Sequence, residues 1–137
     1  MMQIGIDARM YGESGIGRYI KNLLDNLQSI DTTNRYYIFL KPEQFKNLKL
    51  TLNFNKVLAN YGVYSLSEQL QMPPLLKKYN LDLVHFPHFN VPILYKGNYI
   101  VTIHDLIHQH FQSHMATTHN PIIYKLKTFG YQKVFSH

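Results

Sequence analysis

Apolar and polar positions along this chain fall into alternating strand-like and helix-like blocks. Gln3-Ile4-Gly5-Ile6-Asp7-Ala8-Arg9 reads as a short buried strand. A glycine-rich turn follows, Gly12-Glu13-Ser14-Gly15-Ile16-Gly17-Arg18, and then an amphipathic helix with Tyr19, Ile20, Leu23, Leu24 and Leu27 on one side. After the polar turn Asp31-Thr32-Thr33-Asn34, the aromatic and β-branched run Tyr36-Tyr37-Ile38-Phe39-Leu40 predicts a second strand. Pro42 to Leu48 fits a short helix and Lys56-Val57-Leu58-Ala59 a weaker strand. Ser65-Leu66-Ser67-Glu68 has the form of a capping box, in which Ser65 accepts from the third helical N–H and Glu68 reaches back to the cap. Pro73-Pro74 predicts a kink or two stacked short helices, with Asn80 as the end of that segment. Leu83-Val84-His85-Phe86 and Tyr99-Ile100-Val101-Thr102-Ile103 read as further strands, and Pro121 to about Phe135 as a last helix.

This βαβ-like order predicts an α/β fold: a Rossmann-like parallel sheet with helices on both faces and ligands at the carboxyl ends of its strands. The chain stops just after its last helix, where such a sheet is expected to continue. The expected domain, residues 1–137, is therefore incomplete.

Composition narrows the chemistry. With 45% hydrophobic residues the chain can bury a real core, and its 137 residues suit one domain. A net charge of +6, from 14 Lys and Arg against 8 Asp and Glu, favours anionic partners such as nucleotide phosphates. The positives are dispersed, with Lys77-Lys78 the one adjacent pair, which argues against nucleic acid. The absence of cysteine excludes disulfides, thiolate metal sites and thiol nucleophiles. No apolar run is long enough to span a bilayer, and the N-terminus enters a strand at once. The expected location is cytoplasmic.

The glycine loop is the strongest chemical signal. A strand, a glycine loop and a helix N-terminus present bare backbone N–H groups at a positive helix end, which suits a phosphate. The dinucleotide fingerprint fails because Ile20 stands where a third glycine is needed. The P-loop also fails, because Arg18 and Tyr19 replace its Lys and its magnesium-binding hydroxyl. What remains is either an anion-friendly loop or a tight turn that needs glycine for positive φ.

Ile4-Gly5-Ile6-Asp7-Ala8-Arg9, Ser14-Gly15-Ile16-Gly17-Arg18-Tyr19 and Leu23-Leu24 together resemble the opening of family 4 glycosyltransferases of the GT-B fold, in particular bacterial mannosyltransferase-type enzymes. Asp31-x-x-Asn34-x-Tyr36-x-Ile38, Glu68-Gln69 with Pro73, Asp82-Leu83-Val84-His85 and Val101-Thr102-Ile103-His104-Asp105-Leu106 resemble later family segments in the same order. The resemblance implies the N-terminal, acceptor-side domain of a two-domain enzyme involved in polysaccharide biosynthesis. Such an enzyme transfers a sugar, with retention, from a nucleotide-sugar donor to a glycan or lipid-linked acceptor. It also implies that the C-terminal donor-binding domain is absent. That domain's motif of two glutamates eight apart is not found, since Glu occurs at 13, 43 and 68. The chain alone is then not expected to transfer sugar.

By the same resemblance, Gly15, Ile16, Gly17 and Arg18 would face donor phosphates and acceptor. His104 would stand near the transferred sugar as a catalytic-site residue, with Asp105 orienting it or capping the next turn; the alternative for the pair is a structural hydrogen bond at a strand end. No metal or other cofactor is required by that scheme. His85 and His88, at a strand end around Phe86-Pro87, are candidates for lining the acceptor site or, equally, for exposed loop positions. His104, His108, His110 and His114 form a spaced series that could suit zinc, but no glutamate accompanies them and a polar loop is the better reading. Tyr61, Tyr64 and Leu66 with Lys46, Lys49 and Lys56 could form a peripheral membrane surface, or a packed helix with solvated lysines. The competing functional reading is a non-enzymatic module or degenerate fragment that holds an acceptor.

Overall fold

In the computed structural model the described residues are 1–104. They form, in order, β1 (Gln3–Asp7), α1 (Ser14–Ile30), β2 (Arg35–Leu40), α2 (Pro42–Asn47), β3 (Phe54–Leu58), α3 (Leu66–Lys78), β4 (Leu83–Phe86) and β5 (Tyr99–Val101). Asp105, the histidines at 108, 110 and 114, and the helix expected from Pro121 lie outside the described residues.

Five strands make one sheet in the order β3-β2-β1-β4-β5, every neighbouring pair parallel. Ile6 of β1 sits between Ile38 of β2 and His85 of β4. This is an α/β Rossmann-like arrangement, as the sequence pattern predicts. Side chains of β2 show how it is buried on both faces. Tyr36, Ile38 and Leu40 enter one core with Ile6, Ala8 and the α1 residues Ile20 and Leu24. Phe39 enters the other, with Val84, Phe86 and the α3 residues Met72 and Leu76. Alternate residues of a strand point to opposite faces, so α1 and α3 cover opposite sides.

Local chemistry sets the element ends. Asp31 accepts hydrogen bonds from the N–H groups of Thr33 (2.8 Å) and Asn34 (3.0 Å) and from the Tyr36 hydroxyl (2.6 Å), which fastens the turn between α1 and β2. The Tyr36 hydroxyl and the Asn34 and Thr33 donors hold the Asp31 carboxyl well below the ordinary carboxylate range. Burial and the bond to Asp31 push the Tyr36 phenol up to about 12.

α3 departs from expectation twice. It runs as one helix through Pro73 and Pro74. The carbonyls at Gln69 and Leu70 lose their helical donors there, but Leu70 and Pro74 face solvent while Met72 and Leu76 anchor the inner face. Only half of the capping box forms. Ser65 Oγ accepts from the Glu68 N–H at 3.1 Å, while the Glu68 carboxylate turns into the protein. Asn80, in the left-handed region at φ 47°, follows the helix as expected.

Candidate functional site

β1 and β4 are adjacent in the sheet, yet their outgoing chains leave for opposite faces, which opens a crevice at their carboxyl ends. This partly open crevice is narrow, with a volume of about 10 Å³ for a water-sized sphere. Asp7 of β1, Ile16 and Ile20 of α1, and Pro87, His88 and Asn90 after β4 line it.

The loop from β1 delivers α1 to this crevice. Left-handed backbone falls at Gly12 (φ 86°) and Ser14 (φ 47°), not at Gly15 or Gly17, which both lie in the first turn of α1. The tight-turn explanation of those two glycines is therefore corrected. Gly17 is required by close approach: a Cβ there would lie 2.6 Å from the Gly12 nitrogen and 2.9 Å from the Met10 carbonyl oxygen. Gly15 is different, since nothing lies within 4 Å of where its Cβ would be. Glu13 precedes the helix without a side-chain cap, and no acidic residue stands in the first turn. The first N–H groups of a 17-residue helix are thus left to solvent or to an anion. Ile16 is half-buried in the crevice wall, and Arg18 is exposed.

The histidines gather across from this helix end. His85 is buried, and its Nε2 lies 2.8 Å from Thr102 Oγ1. Burial pushes the His85 imidazole below its ordinary value, so it favours the neutral form. The Tyr19 hydroxyl lies 3.0 Å from the same Thr102 oxygen. The Tyr19 ring meets His85 edge-on at 6.3 Å and His104 edge-on at 5.1 Å. His104 is exposed, and its Nε2–H donates to the Pro87 carbonyl at 2.8 Å. That bond leaves Nδ1 as the accepting nitrogen of the neutral ring. His88 Nδ1 lies 2.8 Å from the Tyr64 hydroxyl, and its ring centroid is 6.4 Å from that of His104. His85, His88 and His104 therefore share one end of the sheet with Gly15 and Gly17, and Tyr19 is the side chain that joins the two groups.

Beneath the crevice lies a charge cluster. Arg9 is fully buried and donates from Nε to Asp7 at 2.8 Å, from Nη2 to Asp7 at 2.6 Å, and from Nη2 to Glu68. Glu68, also fully buried, further accepts from the Tyr64 N–H and from Asn90 Nδ2. Burial alone would lower the Arg9 pKa, but the two carboxylates more than reverse this and hold the guanidinium charged. Burial pushes the Glu68 carboxyl up, and Arg9 opposes that shift. Arg9 stacks over Tyr61 at 5.1 Å, and its Nη1 has no hydrogen-bond partner among the described residues. Tyr61 donates to Met72 Sδ at 3.0 Å. Both tyrosines of the proposed membrane surface are thus half-buried and engaged inside the fold.

Sequence reasoning missed Tyr19, Thr102, Glu68 and Asn90. Tyr19 reads as one more apolar helix position, and Glu68 as a capping residue. No signal in the sequence marks Thr102 as the contact between Tyr19 and His85. Comparison of the chain with models of known families, with curated proteins and with solved structures finds no match.

Proposed function

We propose that this chain is the acceptor-side domain of a retaining glycosyltransferase of the GT-B type, acting with a donor-binding domain carried elsewhere. The observation that carries this reading is Tyr19, whose ring meets His85 and His104 edge-on, so that the uncapped helix and two imidazoles lie together beside the β1/β4 switch point, where His88 lines the crevice. Ligands of open α/β sheets bind at such switch points.

The chemistry follows from the groups present. In the transfer, the bond from the sugar's anomeric carbon to the donor phosphate breaks, and a bond from the acceptor oxygen to that carbon forms on the same face. The acceptor hydroxyl's proton passes to the departing phosphate. The N–H groups at the α1 N-terminus stabilise the charge that grows on that phosphate, and the open space at Gly15 lets the ligand approach the backbone. His104 Nδ1 accepts from a sugar hydroxyl, because Nε2 is committed to Pro87. His88 and Asn90 line the acceptor side. The chain's glutamates at 13, 43 and 68 lack the eight-residue spacing of a nucleotide-sugar carboxylate pair, so the companion domain supplies it.

Calorimetric titration tests the reading. The chain is expected to bind oligosaccharide acceptors, with affinity reduced at least tenfold by Gly15→Val and by His104→Ala. Together with a donor domain it transfers sugar. Binding of acceptor with no transfer by any such pair would favour the non-enzymatic acceptor module. Binding of neither acceptor nor nucleotide sugar sinks both.

A further inference from the structure

Among the described residues β3 is an edge of the sheet, paired with β2 on its inner side. The ladder fixes which of its backbone groups turn outward. The Asn53 carbonyl accepts from the Tyr36 N–H at 2.8 Å, and the Ala59 N–H donates to the Leu40 carbonyl at 2.8 Å. Odd-numbered positions therefore face β2, and the N–H and C=O groups of Lys56 and Leu58 point away from the sheet. Among the described residues nothing bonds to those groups. Phe54 differs, because its N–H donates to the Thr51 carbonyl at 3.0 Å. An open groove of about 610 Å³ lies between the end of α2 and this strand, with Phe45, Phe54, Lys46, Lys49 and Lys56 in its walls. No carboxylate among the described residues lines it, and Glu43 of α2 stands outside it. Lys56 Nζ donates to the Phe45 and Leu48 carbonyls at 2.7 and 3.1 Å, which ties α2 to the strand. Lys46 and Lys49 are exposed and make no salt bridge among the described residues.

We propose that β3 is a docking edge for an extended acidic segment of a partner protein, which adds a strand beside β3 and sets its carboxylates against Lys46 and Lys49. Outward backbone groups at two alternate residues match the repeat of a strand. An anionic glycan or a nucleic acid offers charge without that alternation of donors and acceptors. A second copy of this chain is a poor occupant. Across a two-fold axis β3 would face itself and set the lysines of one copy near those of the other, in two chains of net charge +6. A lysine on an edge strand acts against such self-pairing. Charge therefore selects an acidic occupant. Leu52, fully exposed, and Leu58, 48% exposed, stand at the two ends of the strand and supply apolar contact. β2 lies between this edge and the β1/β4 crevice, so the proposal does not rest on the sugar-transfer reading.

The probe is a blocked peptide of alternating glutamate and valine, about six residues long. A lysine–valine peptide and a heparin fragment serve as comparisons. In NMR titration of the isotope-labelled chain the acidic peptide is expected to bind, and to bind more weakly at high salt. It should slow hydrogen exchange of the Lys56 and Leu58 amides about tenfold. Lys46→Gln with Lys49→Gln should weaken binding roughly two- to fivefold per lysine, the scale of exposed ion pairs. Leu58→Pro removes an outward N–H and no bond to β2, so it should weaken binding about tenfold. Thermal melts check both variants. The lysine pair is exposed, so its melt should match the parent, and it decides the matter if the proline variant fails to fold. No binding of the acidic peptide, equal binding of the basic one, or binding that leaves both amides unprotected overturns the proposal. Heparin that displaces the peptide and protects neither amide overturns it too, because the groove then belongs to an anionic glycan. So does a dimer in sedimentation velocity whose amides at 56 and 58 are already protected, since a second copy would then own the edge.

Discussion

Two glycines two residues apart carry different burdens. A methyl group at position 17 must push into the backbone of Gly12 and Met10, whereas position 15 has room. Gly17→Ala is expected to destabilise the protein by about 1–3 kcal/mol, as overpacking does. Gly15→Ala should leave stability unchanged or raise it by up to about 1 kcal/mol, because alanine is the better helix former. Urea unfolding of both variants checks this contrast, and equal losses would contradict the geometry. His85 makes a second prediction at this scale. Its imidazole is held below the ordinary value by burial. Below pH ~6.5 the unfolded chain takes up a proton that the folded chain refuses, so stability falls with falling pH towards the depressed folded value. His85→Gln should remove that part of the slope, and NMR titration of the ring should show its midpoint below 6.5. A midpoint at or above the ordinary value would refute it.

The elements were legible where local chemistry decides them. Asp31 to Tyr36 is such a case, since turn, cap and strand start fall within a few residues of one another. Its carboxyl is held down by the Tyr36 hydroxyl and by Asn34 and Thr33, so its contribution is complete above the unfolded value of ~3.9 and is lost as pH falls below it. Asp31→Ala is therefore expected to lower the urea midpoint at neutral pH, with the gap to the parent narrowing under acid. A gap independent of pH would place the effect elsewhere. α3 shows the limit of local reading. Its start and end obey Ser65 and Asn80, but its two prolines do not break it, because packing of Met72 and Leu76 outweighs two missing hydrogen bonds on a solvent-facing side.

At the scale of the whole molecule, one buried cluster ties three distant segments together. Glu68 of α3 joins Arg9 after β1 and Asn90 after β4, the same segments that build the crevice. Glu68→Ala leaves a buried guanidinium short of one partner and should cost about 3–5 kcal/mol, the scale of breaking a buried ion pair. Glu68→Gln keeps the shape and an accepting oxygen and should cost less. Thermal and urea unfolding rank the two; a neutral Glu68→Ala would mean that Asp7 alone satisfies Arg9.

Read alone, the sequence determined the layering of this protein. The period of apolar residues and the order of strand-like and helix-like blocks leave few alternatives to a parallel sheet covered on both faces. It also marked the glycine loop and the histidines as candidates. The tertiary structure alone decided which residues meet: that Tyr19 spans from the helix end to His104, that Glu68 leaves its cap for Arg9, and that Leu66 and Leu70 of α3 face outward while Leu76 is buried. Periodicity reports burial along one segment. A contact between segments depends on sheet order and register, which no single segment encodes.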